Sequence, residues 1–192
     1  MSDDERDDDA GAPTGIVLDF LPHGRTEDDR PQYEKEPLAY VLDSEEFELY
    51  EAITDSDANV SIGDRLDLQS AEFVSRYSSI GYEDLPGGAQ SELEYVIEDL
   101  VEEQEQRFVD FYNDAQPITL RLHQLNLLPG IGKKLRNNIL DERKRKPFEG
   151  FEELEERIGG LHDPEQVLVD RIMEELREDD LKYRIFARRE EE

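Results

Sequence analysis

The sequence predicts an α+β protein: a small N-terminal β-barrel of the OB type, a long connecting helix, and an all-helical C-terminal domain with two helix-hairpin-helix units in tandem. Three observations predict it. Short β-branched and aromatic runs broken by Gly, Pro and Asp clusters fill residues 13–82, a pattern of strands and turns. From Ser91 the apolar spacing changes to the three-and-four repeat of an amphipathic helix. Beyond Pro117, shorter helical segments are joined by glycine-containing turns. The divisions that follow are an acidic tail (1–12), the barrel (13–82), the connecting helix (83–116), the helix-hairpin-helix domain (117–180) and a C-terminal strand or tail (181–192).

In chain order, Gly15-Ile-Val-Leu-Asp-Phe20, Leu38-Ala-Tyr-Val-Leu42 and Phe47-Glu-Leu-Tyr-Glu-Ala-Ile53 read as strands. His23 to Glu36 is a polar loop. Ile62-Gly-Asp-Arg-Leu66, followed by Leu68, resembles the turn and strand entry of OB-type and SH3-type barrels. Leu93, Val96, Ile97, Leu100, Val101, Phe108, Phe111 and Tyr112 line one face of the connecting helix, and Ser91 and Glu94 have capping-box spacing. Four further segments have helical periodicity: Ile118–Leu127, Ile131–Arg143, Phe151–Ile158 and Pro164–Arg177. The last starts well, with Asp163 as N-cap, Pro164 at the first helical position and Gln166 at the capping-box position. Leu181 to Phe186 alternates like a strand that returns to the barrel.

Asp and Glu total 51 against 22 Lys and Arg, a formal net charge of -29. That exceeds what solubility in dilute salt requires. Disorder and adaptation to molar salt both produce such a balance; clean apolar periodicity beyond the first dozen residues favours a folded, halophilic protein. With no cysteine, disulfides, zinc ribbons and thiol catalysis are excluded. The N-terminal MSDDERDDDA has neither the basic nor the apolar region of a signal peptide, and no run approaches a membrane span. The expectation is a cytoplasmic protein without a membrane partner.

Residues 115–147 carry +6 in this acidic chain, and that island contains Leu128-Pro-Gly-Ile-Gly-Lys-Lys134. Such a hairpin between two helices suits a phosphate backbone. Pro129 stops the first helix, Gly130 permits dihedrals closed to other residues, and Gly132 lacks the side chain that would block close approach. Unsatisfied amides at the start of the next helix then meet a phosphate oxygen at the positive end of the helix dipole. Ile131, Leu135 and Ile139 face inward while Lys133, Asn137 and Lys144 share an outer face. The expected nucleic-acid contacts are Gly130, Ile131, Gly132, Lys133, Lys134, Arg136 and Asn137, the basic run Arg143-Lys144-Arg145-Lys146, and Arg121. Arg136 stands where a small residue usually lets the helices pack; it either loosens the hairpin or adds a phosphate contact. Ile158-Gly-Gly-Leu161 joins two more helical segments as a degenerate second copy without nearby lysine, suited to a structural role.

Phe108-Val-x-Phe111-Tyr-Asn113, Arg121-Leu-His-Gln-Leu125, Leu127-Leu-Pro-Gly-Ile-Gly-Lys-Lys134 and Pro147-Phe-x-x-Phe151 together resemble the archaeal family called domain of unknown function 655, over about residues 15–187. The resemblance implies an RNA-binding protein with an OB-like barrel before paired helix-hairpin-helix motifs, and supplies no catalytic residue. RNA, structured or ribosomal, is favoured over DNA on this ground alone. The rivals are a DNA-binding accessory factor in repair or recombination and a protein-interaction module of the translation or transcription machinery.

The three histidines, His23, His123 and His162, lie in different segments without zinc spacing, so no metal or cofactor is expected. His123 reads as a packed or capping residue rather than a phosphate contact. Carboxylate pairs carry no information in a chain this acidic, and no arrangement of a helix-hairpin-helix glycosylase is present, so a non-enzymatic protein is expected. The barrel aromatics Tyr33, Tyr40, Phe47, Tyr50, Phe73 and Tyr77 lie among 16 acids and five Arg or Lys. They read as core, or as a surface for a protein partner, rather than as stacking platforms for bases.

Overall fold

The computed structural model describes residues 14–188; the acidic tail predicted at 1–12 lies outside them. Over these residues the protein is α+β, with five strands and five α-helices. It divides into two compact units, one running to Glu45 and including Leu49–Ile80, the other comprising Glu46–Glu48 and the chain from Gly81 onward.

The first unit is a single antiparallel sheet of β1 (Thr14–Leu21), β2 (Leu38–Asp43), β3 (Leu49–Thr54), β4 (Arg65–Asp67) and β5 (Val74–Ile80), ordered β4-β1-β2-β3-β5. A bulge in β1 places Val17 opposite Val41 and Asp19 opposite Tyr40. The extra residue, Leu18, interrupts strict alternation, and Ile16, Val17 and Leu18 are all buried. Val17, Ala39, Val41, Ala52, Val60, Leu66 and Leu68 form the core. The predicted strand at Phe47–Ile53 begins only at Leu49, because Phe47 has a positive φ of 53°. That dihedral is incompatible with an extended run.

The second unit contains α1 (Gly87–Glu103), α2 (Glu105–Asp114), α3 (Lys133–Arg145), α4 (Phe151–Arg157) and α5 (Pro164–Arg177). α1 packs along α5, and α4 also touches α5. Phe47 is fully buried in this unit, its ring 6.1 Å from that of Phe108. The buried Tyr112 hydroxyl donates to Pro164 O at 2.8 Å, and burial raises its pKa. Asn113 and Phe148 exchange two hydrogen bonds, at 2.9 and 2.8 Å. Residues 83–116 are therefore part of the helical unit's own core.

Four local expectations are corrected. The predicted long helix breaks at Gln104 (φ -103°, ψ 36°), inside the polar stretch between the apolar stripes of α1 and α2. Ser91 is not at a helix start: α1 begins at Gly87 and the Ser91 hydroxyl donates to Gly87 O at 2.9 Å. Ile118–Leu127 is not an α-helix but a loop closed by a Pro117–His123 bridge and followed by one 3-10 turn, Gln124–Leu127. There the Thr119 hydroxyl, the His123 ring and the Asn126 amide take backbone N–H groups that a helix would use. Leu181–Phe186 forms no strand; the N–H groups of Ile185, Phe186 and Ala187 donate to one oxygen of Glu175 at 2.6, 2.9 and 3.2 Å. A buried carboxylate replaces the neighbouring strand.

Candidate nucleic-acid interface

Leu128 to Ile131 is a tight turn closed by Ile131 N donating to Leu128 O at 3.2 Å. Pro129 takes its second position and Gly130, at φ 80°, its third, a type II arrangement that needs glycine. Gly132 is different. Its dihedrals (φ -88°, ψ -168°) suit any residue, and a Cβ there would meet no atom within 4 Å. Neither the backbone nor the packing requires glycine at 132. As N-cap of α3 it provides no side-chain hydrogen bond, and the first helical bond runs from Arg136 N to Gly132 O at 3.0 Å. The amides of Lys133, Lys134 and Leu135 thus face outward at the positive end of the helix.

The turn at Ile158 to Leu161 repeats the geometry, with Leu161 N donating to Ile158 O at 3.2 Å and Gly160 at φ 89°. The helix after it is closed to anions. As expected, Asp163 caps α5, accepting from Gln166 N at 3.1 Å with Pro164 in the first turn. The reciprocal half of the capping box is missing, since Gln166 Nε2 donates to Asp170 instead. One turn offers amides to an anion; the other already holds a carboxylate.

The expected contact residues separate into three groups. Gly130, Gly132, Lys133, Lys134 and Asn137 are exposed around the first turn, while Ile131 is buried beneath it. The side chains of Lys133, Lys134, Lys144 and Arg121 are exposed and bond to no other described residue. Arg136 braces the turn: its Nη1 donates to Asn126 Oδ1 at 3.0 Å and to Arg121 O at 3.4 Å, and its Nε to Asn137 at 3.3 Å. It therefore tightens the structure instead of loosening it.

The basic run is not brought to the turn. α3 rises by about 20 Å over its length, and the run sits at its far end, where cations complement the helix dipole. Arg143 Nη1 donates to Ala115 O at 2.9 Å and Tyr112 O at 3.2 Å, and burial lowers its pKa. Arg145 pairs with Glu142 at 2.9 Å and Lys146 with Glu149 at 3.9 Å. Of the four, Lys144 alone lacks a bond to a described residue.

Asn126 and Arg171, overlooked in the sequence, and His123, expected there as a packed or capping residue, hold the turn in place. Asn126 Nδ2 donates to Ile131 O at 3.2 Å while its Oδ1 accepts from His123 N at 3.1 Å. Buried His123 accepts from Leu125 N at its Nδ1, 3.1 Å away, so it is a capping residue. Burial, with the nearby Arg143 and Arg136 charges, lowers its pKa. Arg171 Nη1 donates to Leu127 O at 3.2 Å, and the Arg171 guanidinium pairs with buried Glu175 at 3.0 Å. An i, i+4 Arg–Glu pair is unremarkable among so many acids, so nothing in the sequence marked it.

From Ala115 to Leu140, 26 residues pass without one Asp or Glu. In a chain with 51 acids this stretch contains the turn, its braces His123, Asn126 and Arg136, and the exposed Arg121. Among the described residues, no group of three or more His, Asp or Glu is arranged for a metal ion. None of the described helices is long and apolar enough to cross a membrane. In the sheet unit, a pocket is lined by Arg25, Arg30 and Arg76 with their partners Glu51, Asp28 and Glu36. Tyr77 also lines it and meets Tyr50 edge-on, ring centres 5.7 Å apart.

The profile of the family described as "Protein of unknown function (DUF655)" matches residues 12–188. An uncharacterized protein of Methanocaldococcus jannaschii is 40% identical over 178 residues, 90% of this chain and 78% of that protein. The crystal structure of an Archaeoglobus fulgidus protein with the same DUF655 designation is 39% identical, with a TM-score of 0.83, covering 92% of this chain and 99% of that one.

Proposed function

Because the chain belongs to the DUF655 family, whose description names no activity, we propose from its geometry that it is a non-catalytic nucleic-acid-binding protein, with structured RNA as its target. The observation that carries the reading is Gly132: a glycine that the fold does not require, at the uncapped start of α3, inside an acid-free basic stretch. A phosphate oxygen resting on bare amides explains it. Leu125–Arg145 is then a helix-hairpin-helix whose first helix has shortened to one 3-10 turn, and Phe151–Arg177 is a second copy closed by Asp163. The five-stranded sheet is read as an open OB-like barrel. RNA rather than DNA follows from the family resemblance, since a backbone grip does not distinguish them.

Salt titrations on matched RNA and DNA duplexes test this. Lysine contacts act through counterion release, so Lys133→Gln with Lys134→Gln should weaken binding mainly at low salt and flatten the salt slope by roughly one unit per lost contact. Gly132→Val should weaken binding at every salt concentration, because the added side chain excludes the phosphate without changing charge. Identical salt dependence for the two variants overturns the backbone grip, absence of binding to either duplex overturns the function, and preference for DNA overturns the choice of RNA.

A further inference from the structure

Leu120 is fully exposed, at 107% of its reference surface, yet its backbone lies in a closely tied loop. Ile118 N and Thr119 N both donate to Leu122 O, at 2.8 and 3.0 Å. The Thr119 hydroxyl accepts from Arg121 N and Leu122 N, at 3.3 and 3.0 Å. Across the base of the loop, Gln124 N donates to Gln116 O at 2.9 Å and Gln116 N to Gln124 Oε1 at 2.8 Å. Single exposed apolar side chains are common on protein surfaces; this one is set apart by a tied backbone that holds it outward, beside an Arg121 guanidinium that bonds to no other described residue.

The loop is wired to the turn. Arg136 Nη1 reaches both Arg121 O, at the loop, and Asn126 Oδ1, and Asn126 Nδ2 reaches Ile131 O, at the turn. One guanidinium and one amide thus join the two outward features within the acid-free segment.

We propose that Thr119–Leu122 is a wedge: Leu120 enters the base stack of an RNA at an unpaired nucleotide, and Arg121 holds the adjoining phosphate. The inference rests on the phosphate-binding reading above and sharpens it, turning a backbone grip indifferent to RNA structure into selection for a bulge. Apolar side chains commonly act in this way where a nucleic-acid stack opens easily, and unstacked bases are what proteins read in folded RNA. The loop's lack of acids and its basic neighbour favour a nucleic acid over a protein partner.

The test uses the full chain, a fully paired RNA duplex, and the same duplex with a single-nucleotide bulge flanked by 2-aminopurine. The natural sequence should prefer the bulged RNA and raise the 2-aminopurine fluorescence as the stack opens. Leu120→Ala should lose that preference, by about tenfold, as expected for removing most of a buried leucine side chain. It should also lose the fluorescence rise, while keeping its affinity and salt slope on the paired duplex. Equal binding of both RNAs by the natural sequence, or Leu120→Ala matching it on both, overturns the wedge and leaves the phosphate grip standing; the second result is the one a protein-binding loop would give. Failure to bind either RNA removes the grip, and with it this inference.

Discussion

Gly132 and Asp163 hold the same position, the N-cap, in two helices that each follow a type II turn. An aspartate there stabilises a helix by about 1 kcal/mol relative to a residue that cannot cap. Glycine is itself a tolerated N-cap, so the first turn forgoes only a few tenths of a kcal/mol of that gain, and the proposed phosphate takes the place of the carboxylate. His123 serves the fold at the neighbouring turn, and its protonation has a defined consequence. Its folded-state pKa lies below the ordinary value near 6.5. As pH falls below about 6.5, the unfolded chain therefore binds a proton at this site that the folded chain does not, and stability is lost until the lowered folded pKa is reached. Well above pH 6.5 both states are unprotonated at this site, and it contributes nothing to the pH dependence. Thermal melts at pH 7.5 and 5.5 should show the natural sequence losing more stability than His123→Asn, whose side chain can still cap; parallel losses would refute the assignment.

At the scale of elements, α5 organises the helical unit through a buried ion pair. Arg171 reaches Leu127 O beside the first turn and Tyr183 O in the C-terminal segment, at 3.2 and 2.6 Å. Glu175 collects three backbone amides of Ile185–Ala187. Removing one member of a buried pair leaves the other charged and desolvated, at a cost of roughly 3–5 kcal/mol. Glu175→Gln should accordingly lower stability by about 3 kcal/mol in chemical denaturation, and Arg171 should lose its fixed reach to Leu127. A loss under about 1 kcal/mol, the usual value for a surface pair, would contradict this role. The strand read at Leu181–Phe186 failed for this reason: alternation showed which side chains were apolar, but the backbone partner was a carboxylate, not an edge.

For the whole molecule the dominant quantity is the net charge of -29. Such self-repulsion destabilises a compact state, and salt shortens its range from about 10 Å at 0.1 M to about 3 Å at 1 M. If the composition is an adaptation to molar salt, the melting temperature should rise steadily from 0.1 to 2 M KCl. A flat or falling profile would remove that explanation. The same salt weakens lysine–phosphate attraction, so under the proposed function binding in those conditions would depend on amide hydrogen bonds and, in the wedge proposal, on apolar contact.

Features whose causes lie within a few residues were legible before any coordinates. The Pro129–Gly130 turn, the Asp163 cap and most of the strands follow from dihedral preferences, short-range hydrogen bonds and periodicity, which depend only on near neighbours. The roles of the arginines were not legible. Arg143 finds Ala115, 28 residues away, Arg171 finds Leu127, 44 away, and Arg136 finds Asn126, 10 away. A guanidinium reads as a cation in sequence, and only its folded surroundings decide whether it braces carbonyls, as Arg136, Arg143 and Arg171 do, or stands exposed, as Arg121 does. The same holds for Gly132: its presence was visible, but that no atom lies within 4 Å of the missing Cβ is a property of packing.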